Sequence, residues 1–336
     1  MGLKSMLKNP EIKNIIKPIL PTKFTFTTNL GWNVEAFTKN YTLLATNELT
    51  DKGDAKLVGI AFDYMARFIV ANHIEHNKKS VLENMVCEKV FDLLKNDVFD
   101  RTKRLYEDKI KRIENYILNC STDDYDTIIL DVLTLARFEQ IYRCGIAYII
   151  PIIKDAHIKN LELREDLKKN CEIFKKVFID SGLVKKGSIV VFNPNFGVWS
   201  YKCFGADADI FIDGVLYDFK CVSKNSYRID DIAQICGYYL LHRLTQMKDN
   251  AEGFEDKSNA PAPLRNMTIK AIALYKSRFG AIECYDVNKF DKEKFDEVLE
   301  QVRVFINEYY DSNITMNIND LWQEYLKNKN DKNNSN

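Results

Sequence analysis

The chain has 336 residues, 46% of them hydrophobic, and its 48 Lys and Arg balance 48 Asp and Glu. A chain of that length buries a sizeable core in one large domain or two, while a formal net charge of zero excludes a global basic field, so any contact with DNA has to be local. No apolar run reaches membrane-spanning length and the opening Met1-Gly-Leu-Lys-Ser-Met-Leu-Lys lacks a secretory stretch, so the expectation is a cytoplasmic protein with no membrane partner.

Residues 1–56 form an N-terminal extension. From Leu57 helical periodicity dominates, and helices are expected near 57–77, 79–95, 98–119, 124–150 and 158–180. We therefore read residues 57–157 as a helical subdomain and residues 158–310 as a second unit that the last of these helices leads into. Asp63 stands four residues before Arg67, which favours a surface ion pair on an amphipathic helix. The basic run Lys103-Arg104, Lys109, Lys111-Arg112 is interleaved with Glu107, Asp108 and Glu114, the pattern of a solvated mixed face. Glu172, on the helix before the first expected strand, is either an extra acidic ligand or a solvated charge.

From Ser188 the pattern turns strand-like. Ile189-Val-Val-Phe192 is a strand, followed by a loop containing Asn193-Pro-Asn-Phe-Gly197. Trp199, Tyr201 and Lys202, in the loop before the next strand, are candidates for stacking on single-stranded bases, with ordinary packing as the alternative. An acidic hairpin spans Gly205 to Lys220, a helix runs from about Ile229 to Met247, and strands are expected near 267–276 and 281–286. Residues 249–266, with Pro261 and Pro263, read as an exposed loop. Residues 311–336 hold a C-terminal helix and a polar tail expected to be disordered.

The hairpin carries the chemistry. Asp213-Gly214 between apolar runs signals a two-residue type I′ turn, which sets Ile212 opposite Val215. Counting outward, Asp209 faces Asp218 and Asp207 faces Lys220. Alternation then places these four on one surface and Ala208, Ile210, Ile212, Val215, Tyr217, Phe219 and Cys221 on the other. Opposed carboxylates are destabilising unless a cation lies between them, and oxygen-only ligands favour Mg²⁺ or Mn²⁺. The competing reading is an amphipathic ribbon with a solvated acidic face. Acid-x-Lys alone carries no weight, because Glu11/Lys13, Asp54/Lys56, Glu107/Lys109, Asp166/Lys168 and Glu255/Lys257 match it too. Gln234 and Tyr238, four apart, share one helical face, where a glutamine can hold a metal-bound water or a phosphate.

Asp209 or Asp207, then Asp218-Phe-Lys220, then Gln234-Ile-Cys-Gly-Tyr238 occur in an order that resembles the PD-(D/E)xK nuclease superfamily, specifically its RecB-like branch. The resemblance covers about residues 188 to 285. Gly59-Ile-Ala-Phe-Asp63 corresponds to that branch's upstream Gly-x-x-x-His motif, with aspartate in place of histidine. What the resemblance implies is an α/β (mixed α+β) fold, a restriction-endonuclease-like core with a mixed central sheet flanked by helices and preceded by the helical subdomain. It also implies metal-dependent phosphodiester hydrolysis, with DNA as the expected substrate. Asp209, Asp218 and the Phe219 carbonyl would hold Mg²⁺ or Mn²⁺, Lys220 would position or activate the attacking water, and Gln234 would complete the catalytic set, with Asp63, Asp207, Tyr238 and Glu172 as accessory candidates. The alternative is a nucleic-acid-binding or scaffold protein that keeps this fold without turnover.

Eight cysteines, at 87, 120, 144, 171, 203, 221, 236 and 284, include no Cys-x-x-Cys pair, and the four histidines have no zinc-like spacing. Neither a zinc site nor an iron–sulfur cluster is expected.

Overall fold

The computed structural model describes residues 2–31, 33–46, 49, 52–74, 81–83, 85–94, 96–119, 125–144, 161–247 and 262–333. The chain begins with short helices α1 (Leu3–Met6) and α2 (Pro10–Ile16) and strand β1 (Thr27–Thr28), followed by α3 (Lys52–His73), α4 (Asn96–Asn119), α5 (Tyr125–Cys144) and α6 (Leu161–Phe174). Then come β2 (Val190–Phe192), α7 (Val198–Lys202), β3 (Ile210–Ile212), β4 (Val215–Lys220), α8 (Ile229–Gln246), β5 (Ala271–Lys276), β6 (Ala281–Asp286) and α9 (Lys292–Asn333). Among the described residues the strands make one six-stranded sheet in the order β1-β6-β5-β4-β3-β2. β4 and β5 are parallel and the other neighbours antiparallel, so this is a mixed sheet in an α/β protein. Parallel neighbours need a crossover, and α8 supplies it.

Helices cover both faces. On one, Phe62 of α3 and Phe174 of α6 close over Phe219 and Tyr275, with ring centroids 5.6–6.1 Å apart. The same continuous core includes Ile129 and Leu133 of α5. On the other face, Ile232, Ile235 and Leu240 of α8, Val298 and Ile306 of α9, and Leu3 and Ile12 of the N-terminal helices pack on Phe211, Leu216, Ile272 and Leu274. The expected division into a buried face and an open acidic face is thus corrected: both faces are core, and Asp209, Asp218 and Lys220 gather at the end of β4.

The helical periodicity places the helices well, with boundary shifts of a few residues. The segment near 79–95 differs. Its described part is helical at residues 81–82 and then a 3₁₀ run, Val86–Leu93, entered through extended Met85, and the Cys87 N–H donates to Tyr64 Oη at 3.2 Å, a side-chain acceptor in place of a helical carbonyl. Residues 145–160 and 248–261 lie outside the described residues. Lys109 and Arg112, read as part of a solvated face, both reach buried Asp131 at 2.7–2.8 Å and tie α4 to α5. α9 runs without a glycine or proline to Asn333, through the segment whose composition marks a tail. No helix among the described residues is long and apolar enough to cross a membrane.

One buried base on α8 gives a test of the core. His242 is 1% exposed, its Nδ1 has no partner, and burial lowers its pKa to about 4. The folded state therefore prefers neutral imidazole, so this contribution to stability is complete above the ordinary value near 6.5 and is lost as pH falls from there towards 4. Linkage puts the total at about 3 kcal/mol. Thermal unfolding of His242→Leu between pH 7 and 4 should show a shallower decline than wild type; equal slopes would place the titration elsewhere.

Candidate active site

The site starts at the turn. Asp213 and Gly214 have φ of 48° and 97°, the pair of positive values a type I′ turn requires. The expected register follows: Ile212 opposite Val215, Phe211 opposite Leu216, Ile210 opposite Tyr217. Beyond Ile210 the ladder stops. Asp209 answers by side chain, Oδ2 accepting the Phe219 N–H in a very short hydrogen bond. Its own carbonyl accepts from Asn193, a residue at φ 46°, while the Ala208 N–H turns to the Pro194 carbonyl. This irregular stretch ends the alternation, so Ala208 joins the core on the α8 side instead of lying with Ile210. It also overturns the expected pairing of Asp207 with Lys220. Asp207 is exposed and bridges to Asn195, within electrostatic reach of Lys89, Arg143 and Arg67.

Asp209, Asp218 and Lys220 are brought together at the end of β4. Lys220 Nζ lies against Asp218 Oδ2 and donates to Gln234 Oε1 at 3.0 Å, and Asp231 Oδ1 is 4.0 Å away. Gln234 Nε2 in turn donates to Tyr238 Oη at 2.9 Å, and the Tyr238 ring stacks on Phe196. The helical spacing of four is thus used in full: α8 presents a relay that orients the Lys220 ammonium. Asp218 is 3% exposed, and no well-directed hydrogen bond reaches Oδ2. Its charge is matched by Lys220 while its lone pairs are left over.

Charge is concentrated here at a cost. Burial, then the neighbouring Asp218 carboxylate, pushes Asp209 up to about 7. Burial also raises Asp218, against the pull of Lys220. For Lys220 burial acts downward, but Asp218, Asp231 and Asp209 outweigh it and hold the ammonium above its usual value.

Asp63 enters from the opposite layer. A Cβ on Gly59 would stand 3.8 Å from Cys221 Cβ, so α3 passes directly beside the residue after Lys220. One turn on, burial and the charge of Asp209 raise Asp63 well above the carboxylate range. The ion pair expected between Asp63 and Arg67 is absent among the described contacts. Arg67 is 7% exposed, and its Nε donates to the Asp63 carbonyl at 3.1 Å.

The remaining candidates fall outside. Glu172 is exposed on α6 and sits near Lys175 and Lys168, away from the carboxylates. Trp199 is 3% exposed inside the core. Lys202 is also buried, its Nζ donating to Asn307 at 2.6 Å. Tyr201 keeps an exposed face but leans on Tyr310. A five-residue helix, α7, turns what reads as a loop into packing. The residues sequence reasoning missed are Asp231 and Lys4, the latter within electrostatic reach of Asp218 from α1, while Arg67 was read only as an ion-pair partner of Asp63. Asp231, three residues before Gln234 on the same helix face, was the one with a findable signal.

Among the described residues no three His, Cys, Asp or Glu side chains converge as a metal-ligand group. Two carboxylates are nonetheless enough for Mg²⁺, which keeps several waters and takes one or two protein carboxylates. Asp209 and Asp218, mutually repelling, oxygen-only and partly unsatisfied, fit such an ion.

Gln234→Ala breaks the relay without touching a carboxylate. It should misplace Lys220 at a stability cost of about 1 kcal/mol for the lost hydrogen bonds, and any metal-dependent turnover at this site should fall by roughly 10–10². Paired turnover and melting measurements check this; full specific activity would reduce Gln234 to a structural role.

Scanned against protein-family models, and searched against curated proteins and solved structures, the chain gives no match, so the assignment of function rests on the geometry above.

Proposed function

We propose that this protein is a metal-dependent nuclease of the PD-(D/E)xK type that hydrolyses phosphodiester bonds, with DNA as substrate and the cytoplasm as its compartment. The observation that carries the reading is the desolvated pair Asp209 and Asp218 with a lysine locked beside them by Gln234. Buried like charges on neighbouring strands are destabilising on their own, and a site that keeps them has a use for a cation. Mg²⁺ or Mn²⁺ held by Asp209, Asp218 and the Phe219 carbonyl would supply Lewis-acid polarisation of a phosphate oxygen and a lowered water pKa.

The chain's own groups do the rest. The Phe219 N–H fixes the rotamer of Asp209. Lys220, cationic and almost desolvated, is aimed by Gln234 and lends positive charge where phosphate charge grows in the transition state. Tyr238 holds the Gln234 amide so that its oxygen, and not its nitrogen, faces the ammonium.

A second reading, a nucleic-acid-binding protein without turnover, has one observation in its favour: Lys220 already neutralises Asp218. The test is a panel of linear and circular, single- and double-stranded DNA and RNA, incubated with Mg²⁺, Mn²⁺ or EDTA. Cleavage that needs the metal and is lost in Lys220→Ala supports the nuclease; binding without cleavage supports the second reading. Circular DNA separately reports whether a free end is needed.

A further inference from the structure

Two cations of the helical region reach Asp207 and Asp63, and a tyrosine lies under one of them; none plays a part in the chemistry above. Lys89, on the 3₁₀ run Val86–Leu93, is exposed and, like Arg143 near the end of α5, lies within electrostatic reach of Asp207. Arg143 is also within reach of Asp63. Tyr142, next to Arg143 in sequence, is 37% exposed, and the Lys89 ammonium lies over its ring, 5.9 Å from the centroid.

Arg143 is held from below. Its Nε donates to Glu139 Oε1 at 2.7 Å, and Glu139 Oε2 accepts from Tyr64 Oη at 2.5 Å. One edge of the guanidinium is thereby fixed to a buried frame, while the side chain remains 52% exposed. In a chain of zero net charge, this puts two exposed cations and a partly exposed aromatic ring, with Lys89 above it, on the side of Asp207 and Asp63. Cations take phosphates, and an aromatic face takes a base.

We propose that Lys89, Tyr142 and Arg143 form a grip for a single strand of nucleic acid, holding the phosphates next to the scissile one and stacking a base on Tyr142. The proposal rests on the nuclease reading for the position of the scissile phosphate. Strandedness follows from chemistry. Base faces inside a duplex are covered by their neighbours, so only an unpaired base can lie on the tyrosine. Asp218, 3% exposed, also needs a phosphate that can enter a recess.

The experiment is fluorescence anisotropy in EDTA, which separates binding from cleavage, using a labelled single-stranded DNA, its duplex and the matching single-stranded RNA across a salt series. The proteins are wild type, Lys89→Gln, Lys89→Gln with Arg143→Gln, and Tyr142→Ala, each checked by melting temperature. Two lost phosphate contacts should flatten the dependence of log K on log salt by about 1.4, from about 0.7 per phosphate on a single strand, and Lys89→Gln alone by about half that. Tyr142→Ala should weaken single-strand binding about five- to hundredfold with the salt slope unchanged. Wild-type slopes in the charge variants, or duplex bound as well as single strands, would overturn the grip. Wild type that binds no nucleic acid would overturn the nuclease reading together with it.

Discussion

Lys220→Ala is expected to reduce Mg²⁺-dependent cleavage by roughly 10²–10⁴, the range for a positioned proton-transfer or electrostatic group, without weakening metal binding. Lys220 is the cation that matches Asp218 in the absence of metal. Its removal leaves a buried carboxylate unpaired, a defect of about 3–5 kcal/mol. The metal-free variant should therefore melt well below wild type. Added Mg²⁺ should recover more of its stability than it adds to wild type, because the ion then has no ammonium to compete with. Calorimetric titration beside melting curves with and without Mg²⁺ tests this. A variant that loses metal affinity along with cleavage would make Lys220 part of the binding set, contrary to the geometry.

Asp209→Asn should abolish cleavage and yet yield a more stable metal-free protein. Asparagine keeps an oxygen that can accept the Phe219 N–H, so the local hydrogen bond survives. The charge that Asp209 presents to Asp218 and Asp63 does not. Removing a largely desolvated charge and its repulsion together stabilises by about 1–2 kcal/mol, after discounting for solvent screening. Asp218→Asn is not equivalent, since it strips Lys220 of its nearest anion. Opposite signs in the two melting-temperature changes, with Mg²⁺ binding weakened in both, is the expected pattern. If Asp209→Asn lowers the melting temperature and still cuts DNA, the pair is a structural feature and the active site lies elsewhere.

Much of this site was legible because a two-residue turn propagates its register. Asp213-Gly214 fixes three cross-strand pairs, and those put Asp209 near Asp218. The same counting failed at Asp207, where the backbone at Asn193 leaves the ladder, and nothing in the side-chain pattern announces such a departure. Helical spacing found Gln234 and Tyr238 for a similar reason, since a period of four residues is local. Asp63 was legible only as a motif position, because what brings it to Asp209 is the packing of Phe62 against Phe219 across a long separation in sequence. Trp199 and Lys202 follow the packing reading and not the stacking one, a choice the sequence leaves open because aromatic and basic residues look alike whether a loop is open or folded under a helix. The N-terminal edge strand, two threonines long, has no pattern to read.

That first segment has a bearing on how the chain comes to be folded at all. The Leu3 N–H donates to the Gly205 carbonyl, the Phe37 N–H to Glu283, and Thr27 pairs with Cys284. These partners stand more than two hundred residues apart in the sequence. Such long-range contacts form late and slowly. Until those partners are in place, Ile12 and Ile16 of α2 have no completed core to join, and incompletely folded chains that expose such surface are prone to aggregate.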